Sequence, residues 1–165
     1  MDTIKPNKQF LYLNGEMNDN MVNSFLNFYN SLGSEIDEVV IYLNSEGGLY
    51  CSMQIMLDII NHSKIKITLI AVEHIISCAF MLFYFAKCDK ILINNCYGCV
   101  HTISSMFELR DKNFEGDTIR LNEINDVNRK IERTFKSFLT SEELKKFKDG
   151  EDIYLSSKRM KEIFN

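Results

Sequence analysis

The sequence predicts an α/β fold with helices laid on a parallel sheet. Strand-like and helix-like segments alternate over roughly the first hundred residues, which is the pattern of βαβ units. Glu38–Leu43 and Ile65–Val72 are near-continuous apolar runs, as expected of parallel strands covered on both faces. A length of 165 residues fits one domain with room for an appendage, since domains run to about 100–200 residues.

Taken in order, Gln9–Leu13 reads as a strand that Asn14-Gly15 ends in a turn. Asn18 or Asp19 can cap a helix whose apolar residues (Met21, Val22, Phe25, Phe28, Tyr29, Leu32) keep helical spacing until Gly33 stops it. Glu38–Leu43 is a buried strand, and Asn44 to Gly48 is a loop. A helix follows, with Met53, Met56, Leu57 and Ile60 on one face. Ile65–Val72 is the next strand. After a turn comes an apolar run to Ala86 that is too short to span a bilayer, so from Ser77 it reads as a buried core helix. Asp89–Ile93 and Tyr97–Ile103 are strands separated by the turn Asn94-Asn95. From about Ser105 to Thr140 the chain is charged and helical, with a stripe of Ile124, Val127, Ile131, Phe135 and Phe138. Ser141-Glu-Glu opens a short helix with capping chemistry. Asp152–Leu155 is extended, and Ser156 or Ser157 caps a last helix ending at Phe164.

Composition narrows the function classes. Apolar residues make up 45% and charged residues 25%, which suits a core-forming chain and excludes a disordered one. The net charge of −4 has no basic excess of the kind nucleic-acid binding needs, and no membrane partner is expected. Five cysteines, an odd number in mostly apolar settings, point to reduced thiols and a cytoplasmic location. The first residues, Met1 to Lys8, have no apolar core of a signal peptide. Cys96-x-x-Cys99-x-His101 has no second ligand pair at suitable spacing, so neither a metal nor a cofactor is expected.

Four places could carry chemistry. Ser77 follows a strand and a short turn and opens a helix. The unpaired, partly positive N–H groups of that first turn could stabilise an oxyanion beside its hydroxyl, although a plain N-cap is the simpler reading. His101 at a strand end is either a base or a satisfied core histidine. His62 and His74 are weaker candidates for a base. Gly47-Gly48 allow positive φ and close backbone approach, and could offer an oxyanion N–H or only a tight turn. They lack the pattern of a phosphate loop. Asp152 is a lone acid before an apolar strand and says little by itself.

Together these segments resemble the ClpP family, the proteolytic subunit of the Clp protease. Val40-Ile-Tyr-Leu-Asn-Ser-Glu-Gly-Gly48 looks like the family's strand and Ile-Asn-Ser-Pro-Gly-Gly loop. Phe10-Leu-Tyr-Leu-Asn-Gly-Glu16 with Asn20-Met-Val-Asn23 is similar to its opening strand, turn and first helix. Ser77-Cys-Ala-Phe80 resembles Ser-Met-Gly-Ala-Phe, and Asn95 through His101 matches its Asn, strand and His. Asp152-Ile-Tyr-Leu-Ser156 resembles the segment that carries the family's acid. Glu46 stands where the family has proline, and Thr102-Ile-Ser-Ser-Met replaces its Gln-Pro and glycine-rich segment. The chain is also one residue short after Ser77. Counting forward from Gly47 puts Ser77 at the nucleophile; counting back from His101 puts Ile76 there, and isoleucine cannot do the chemistry.

The resemblance implies a ClpP/crotonase-like ββα spiral, with a head of about 9–104 and 151–165 and a helical handle of about 105–150. It implies peptide-bond hydrolysis through a serine acyl-enzyme. Ser77 would be the nucleophile, His101 the base, Asp152 the acid that orients it, and the N–H groups of Gly48 and Cys78 the oxyanion hole. The handle would interleave with others to make a homo-oligomer of heptameric rings that encloses peptide or unfolded protein. Few residues precede the opening strand, so the axial loops that engage a Clp ATPase are expected to be short. Tyr42 would keep part of an apolar docking groove. A non-catalytic ring subunit and a crotonase-like acyl-CoA enzyme are the competing readings.

Overall fold

A computed structural model describes residues 7–103 and 114–164, and the side chains of 114–120 are not among those described. The expected onset of the helical arm near Ser105 falls outside the described residues, as does most of the N-terminal segment. The chain divides into two compact units, Met1–Cys99 with Tyr154–Asn165, and Val100–Ile153.

The first unit is a parallel sheet with helices packed on it. Its opening elements are β1 (Lys8–Met17), α1 (Asp19–Asn30), β2 (Glu38–Gly48), α2 (Tyr50–His62), β3 (Lys66–Ile76) and α3 (Cys78–Phe85). β4 (Asp89–Leu92) and β5 (Tyr97–Val100) follow. The strand order is β1-β2-β3-β5-β6, where β6 is Ile153–Leu155, and β4 also pairs with β3. All four registered pairs are parallel. The apolar runs become the central strands because both faces are covered: Ile41, Leu43, Leu69, Ala71 and Ile75 are fully buried. α3 is apolar all round, and such a helix belongs in a core. Phe80 and Phe83 on it are fully buried, and their rings lie 5.7 and 4.9 Å from Phe164 of α6 (Ser157–Phe164). Among the described residues no helix is long and apolar enough to cross a membrane.

Four expected boundaries are corrected. Asn14-Gly15 is no turn: β1 runs on to Met17, and the register slips between Asn14 and Glu16, a bulge that Gly15 eases with φ +90. The expected loop from Asn44 to Gly48 is the end of β2, and the expected turn after Val72 is the end of β3, with a matching slip between Leu43 and Ser45. Polar side chains hold these irregular ends. Asn44 Nδ2 donates to Asn14 Oδ1 at 2.8 Å and to Glu73 at 3.2 Å, and Glu73 sits at φ +56. Finally, α1 stops at Asn30 with Ser31 as its C-cap, ahead of Gly33. Asn18 caps its start, accepting from the N–H groups of Asn20 and Met21.

The second unit carries α4 (Phe114–Phe135) and α5 (Ser141–Lys148), the latter opened by a complete capping box between Thr140 and Glu143. The far end of the apolar stripe is used inside this unit: Ile131 and Phe135 are buried, and the Phe135 ring lies 5.9 Å from that of Phe147. Ile124 and Val127 are half-buried, and Leu121 is exposed.

Glu38, at the start of β2, is a buried carboxylate. It accepts from Thr68 Oγ1 at 2.8 Å and pairs with Lys8 at 2.6 Å. The Lys8 and Thr68 hydrogen bonds hold its carboxyl below its ordinary value of 4.5. A depressed carboxylate stabilises the fold above its unfolded-state pKa, and that contribution is lost as pH falls through the folded-state value. On acidification from about pH 6 to pH 3, the thermal midpoint should fall further in the wild type than in Glu38→Gln. Parallel curves in scanning calorimetry would contradict this.

Candidate active site

The junction between β3 and α3 is a sharp strand-to-helix turn, and Ser77 occupies it. Ser77 has φ +55 and ψ −121, a region that a residue with a side chain enters only at a cost of about 1–3 kcal/mol. It stands at the N-cap position of α3, yet its side chain makes no capping hydrogen bond. The simple N-cap reading therefore does not describe it. Its backbone is fixed from both sides: the Ser77 N–H donates to the Cys99 carbonyl at 2.8 Å, and its carbonyl accepts from Met81 N–H at 3.1 Å. Ser77 is half-buried, whereas Cys78 and Ala79 are buried. Ser77 thus stands on a strained strand-to-helix turn at the first N–H groups of α3.

Gly47 and Gly48 end β2 directly against this turn. Gly47 has φ +91, and a methyl group on it would lie 2.6 Å from the Ile76 carbonyl oxygen, 2.8 Å from Ser77 Cβ and 2.9 Å from the Cys78 nitrogen. Gly48 has φ +144, and a methyl there would collide with the Met17 carbonyl oxygen. Both positions therefore need glycine for space as well as for φ. Ser45 is fully buried and accepts the Gly47 N–H at 3.0 Å, which sets the strand end. Cys78 Sγ donates to the Gly48 carbonyl at 3.1 Å, a further tie between the two segments. Burial pushes the Cys78 thiol up to about 11, so it is a neutral donor near pH 7.

Glu46, one residue earlier, is exposed, with its carboxylate 3.9 Å from Nε2 of His74. The His74 ring leans on Tyr97 at 5.6 Å, and its buried Nδ1 has no hydrogen-bond partner among the described residues. On the sheet, Tyr42 stacks on Tyr12 at 4.8 Å and lines, with Phe10, Val40, Ile70 and Ile91, an open groove of about 620 Å³.

His101 and Asp152 belong to the second unit, and His101 is half-buried. Its Nδ1 lies 2.7 Å from the Thr102 carbonyl oxygen. A carbonyl only accepts, so a hydrogen bond there places a proton on Nδ1, which in a neutral ring leaves Nε2 as an acceptor. Asp152 is exposed, and no hydrogen bond joins it to His101 among the described residues. Asn128 on α4 escaped the sequence reading. Its carboxamide accepts from Ile103 N–H at 2.8 Å and donates to the Ile103 carbonyl at 3.0 Å. A contact across 25 residues leaves no local pattern to read.

A family model described as Clp protease matches residues 6–162. No curated protein matches the sequence. Among solved structures, the chain is similar to the ClpP1 N165D mutant from Listeria monocytogenes. The two share 18% identity at a TM-score of 0.68, covering 94% of this chain and 86% of that one. That likeness establishes the fold, a ClpP-type α/β sheet with its helices.

Two sterically different glycines of positive φ, Gly15 and Gly47, make a paired test. Gly15 has φ +90 with nothing within 4 Å of an added methyl, whereas Gly47 has φ +91 and backbone within 3 Å. Gly15→Ala should cost about 1–2 kcal/mol from backbone strain alone. Gly47→Ala should cost at least about 2 kcal/mol more, because the Ser77 turn must move. Urea titrations measure both, and equal losses would contradict the close approach.

Proposed function

Because the chain belongs to the Clp protease family, we propose that it is a serine peptidase working inside a homo-oligomeric ring. The observation that carries this reading is Ser77, held at φ +55 without a capping bond and against Gly47, which admits no side chain. In this mechanism the Ser77 oxygen attacks the peptide carbonyl while His101 Nε2 takes its proton. His101 then protonates the leaving amine, and water repeats the sequence to release the acyl group. The Gly48 and Cys78 N–H groups hold the oxyanion. Asp152 contributes negative charge that favours the imidazolium. No cofactor or metal takes part.

Peptide or unfolded protein is the substrate class. The rings are heptameric and joined through the handle, whose half-buried Ile124 and Val127 and exposed Leu121 remain for a second helix. The groove at Tyr42 is the place where a Clp ATPase would dock, and the protein works in the cytoplasm. A second reading, a non-catalytic ring subunit, is favoured by one observation: the segment from Ser77 to His101 is one residue shorter than the family's.

A fluorophosphonate probe separates the two. The peptidase reading expects stoichiometric labelling of the assembled protein at Ser77 and none in Ser77→Ala. A folded oligomer that takes no label would leave the non-catalytic subunit.

A further inference from the structure

We propose that Asn128 is a positioning residue that sets the tautomer of His101 through the backbone of Thr102 and Ile103. The inference rests on the peptidase reading for its consequence, though not for its geometry. A serine base must present an unprotonated Nε2, so the proton has to sit on Nδ1 and be held there. In this chain the acceptor for that proton is the Thr102 carbonyl, 2.7 Å from Nδ1.

That carbonyl lies in a segment that is not a strand, since β5 ends at Val100 and residues 101–103 are irregular. A backbone carbonyl in irregular chain orients a ring only if its own peptide is fixed. Asn128 does the fixing. Its carboxamide bonds both the N–H and the C=O of Ile103, as a neighbouring strand would, and the Thr102 carbonyl belongs to the same peptide group as the Ile103 N–H. The bond from Ile103 N–H to Asn128 Oδ1 therefore orients the plane that carries the acceptor of His101. α4 supplies Asn128 beside a depression lined by Thr102, Asn125, Arg129, Glu132, Phe147 and Lys148. In that depression Arg129 is paired with Asp126 and Lys148 with Glu132, which leaves Asn128 to hold the segment.

Two consequences follow. The tautomer does not depend on Asp152, whose carboxylate is exposed and makes no bond to the ring among the described residues. Loss of Asn128 frees the Thr102 peptide to turn, and the Nδ1 proton then has no fixed acceptor.

The test is a long-range proton–nitrogen spectrum of the full-length protein labelled with ¹⁵N-histidine, recorded near pH 8, where an ordinary imidazole is neutral. His101 signals are assigned by their loss in His101→Gln. The wild type should show the Nδ1–H tautomer, and Asp152→Ala should keep it. Asn128→Ala and Asn128→Leu should show a mixture of tautomers, with fluorophosphonate labelling of Ser77 slowed on the order of tenfold to a hundredfold. Neither retains an acceptor for Ile103 N–H. A wild-type ring protonated at Nε2, or Asn128 variants with the wild-type spectrum, would overturn the proposal. If both Asn128 variants fail to fold, Asn128→Gln, which keeps the amide but displaces it by one methylene, replaces them, with the same mixture expected. The spectra need no activity. The expected tautomers without labelling of Ser77 remove only the peptidase reading, whereas labelling with an unmoved tautomer in Asn128→Ala removes only the clamp.

Discussion

The first unit depends on the close approach of the end of β2 to the turn between β3 and α3. No side chain fits at Gly47, because the Ile76 carbonyl, Ser77 Cβ and Cys78 nitrogen stand where it would be. The approach requires β2 and β3 to run in parallel register as far as Ser45 opposite Ile75, and the slip after Leu43 sets that register. It also requires α3 to be anchored, which Phe80 and Phe83 achieve by complete burial. The strain of Ser77, about 1–3 kcal/mol, is offset by this packing, since one or two such residues are small against the burial of a whole apolar helix. Local strain of this kind persists only where the surroundings over-determine it.

The same geometry explains the chemistry the turn is suited to. An oxyanion needs fixed donors that do not reorganise as charge develops. The helix N-terminus at Cys78 and the glycine strand end supply backbone N–H groups whose positions are set by the sheet, not by side-chain rotamers. The Cys78 thiol is neutral near pH 7, buried and bonded to the Gly48 carbonyl, a tie between the two segments. In the second unit, His101 Nδ1 lies 2.7 Å from the Thr102 carbonyl oxygen, and Asn128 bonds the adjoining Ile103 N–H.

Much of the fold was legible in the sequence, for physical reasons that differ by element. Glu38–Leu43 and Ile65–Val72 announced buried parallel strands because strands covered on both faces must be continuously apolar. Ser77 stood out because a serine between an apolar strand and an apolar helix has a restricted choice of roles. Its φ was not legible, since no pattern of neighbours encodes a positive φ at a serine. Asn14-Gly15 and Asn44 misled, because residues that favour turns also favour bulges, and cross-strand amide bonds between Asn14 and Asn44 decided for the sheet. The stripe on α4 was correctly apolar, but periodicity cannot say which partner covers it. Phe135 turned out to meet Phe147 of its own unit. Asn128 was invisible, since its role rests on a contact across 25 residues.

The most direct measurement is a crystal structure of the protein after reaction with a fluorophosphonate, because the phosphonyl oxygen stands where the oxyanion would. A covalent bond to Ser77 Oγ is expected, with that oxygen about 2.7–3.1 Å from both the Gly48 and Cys78 nitrogens. An adduct whose oxygen points away from both nitrogens, or a crystal with Ser77 unmodified, would contradict the assignment of this turn as the catalytic elbow.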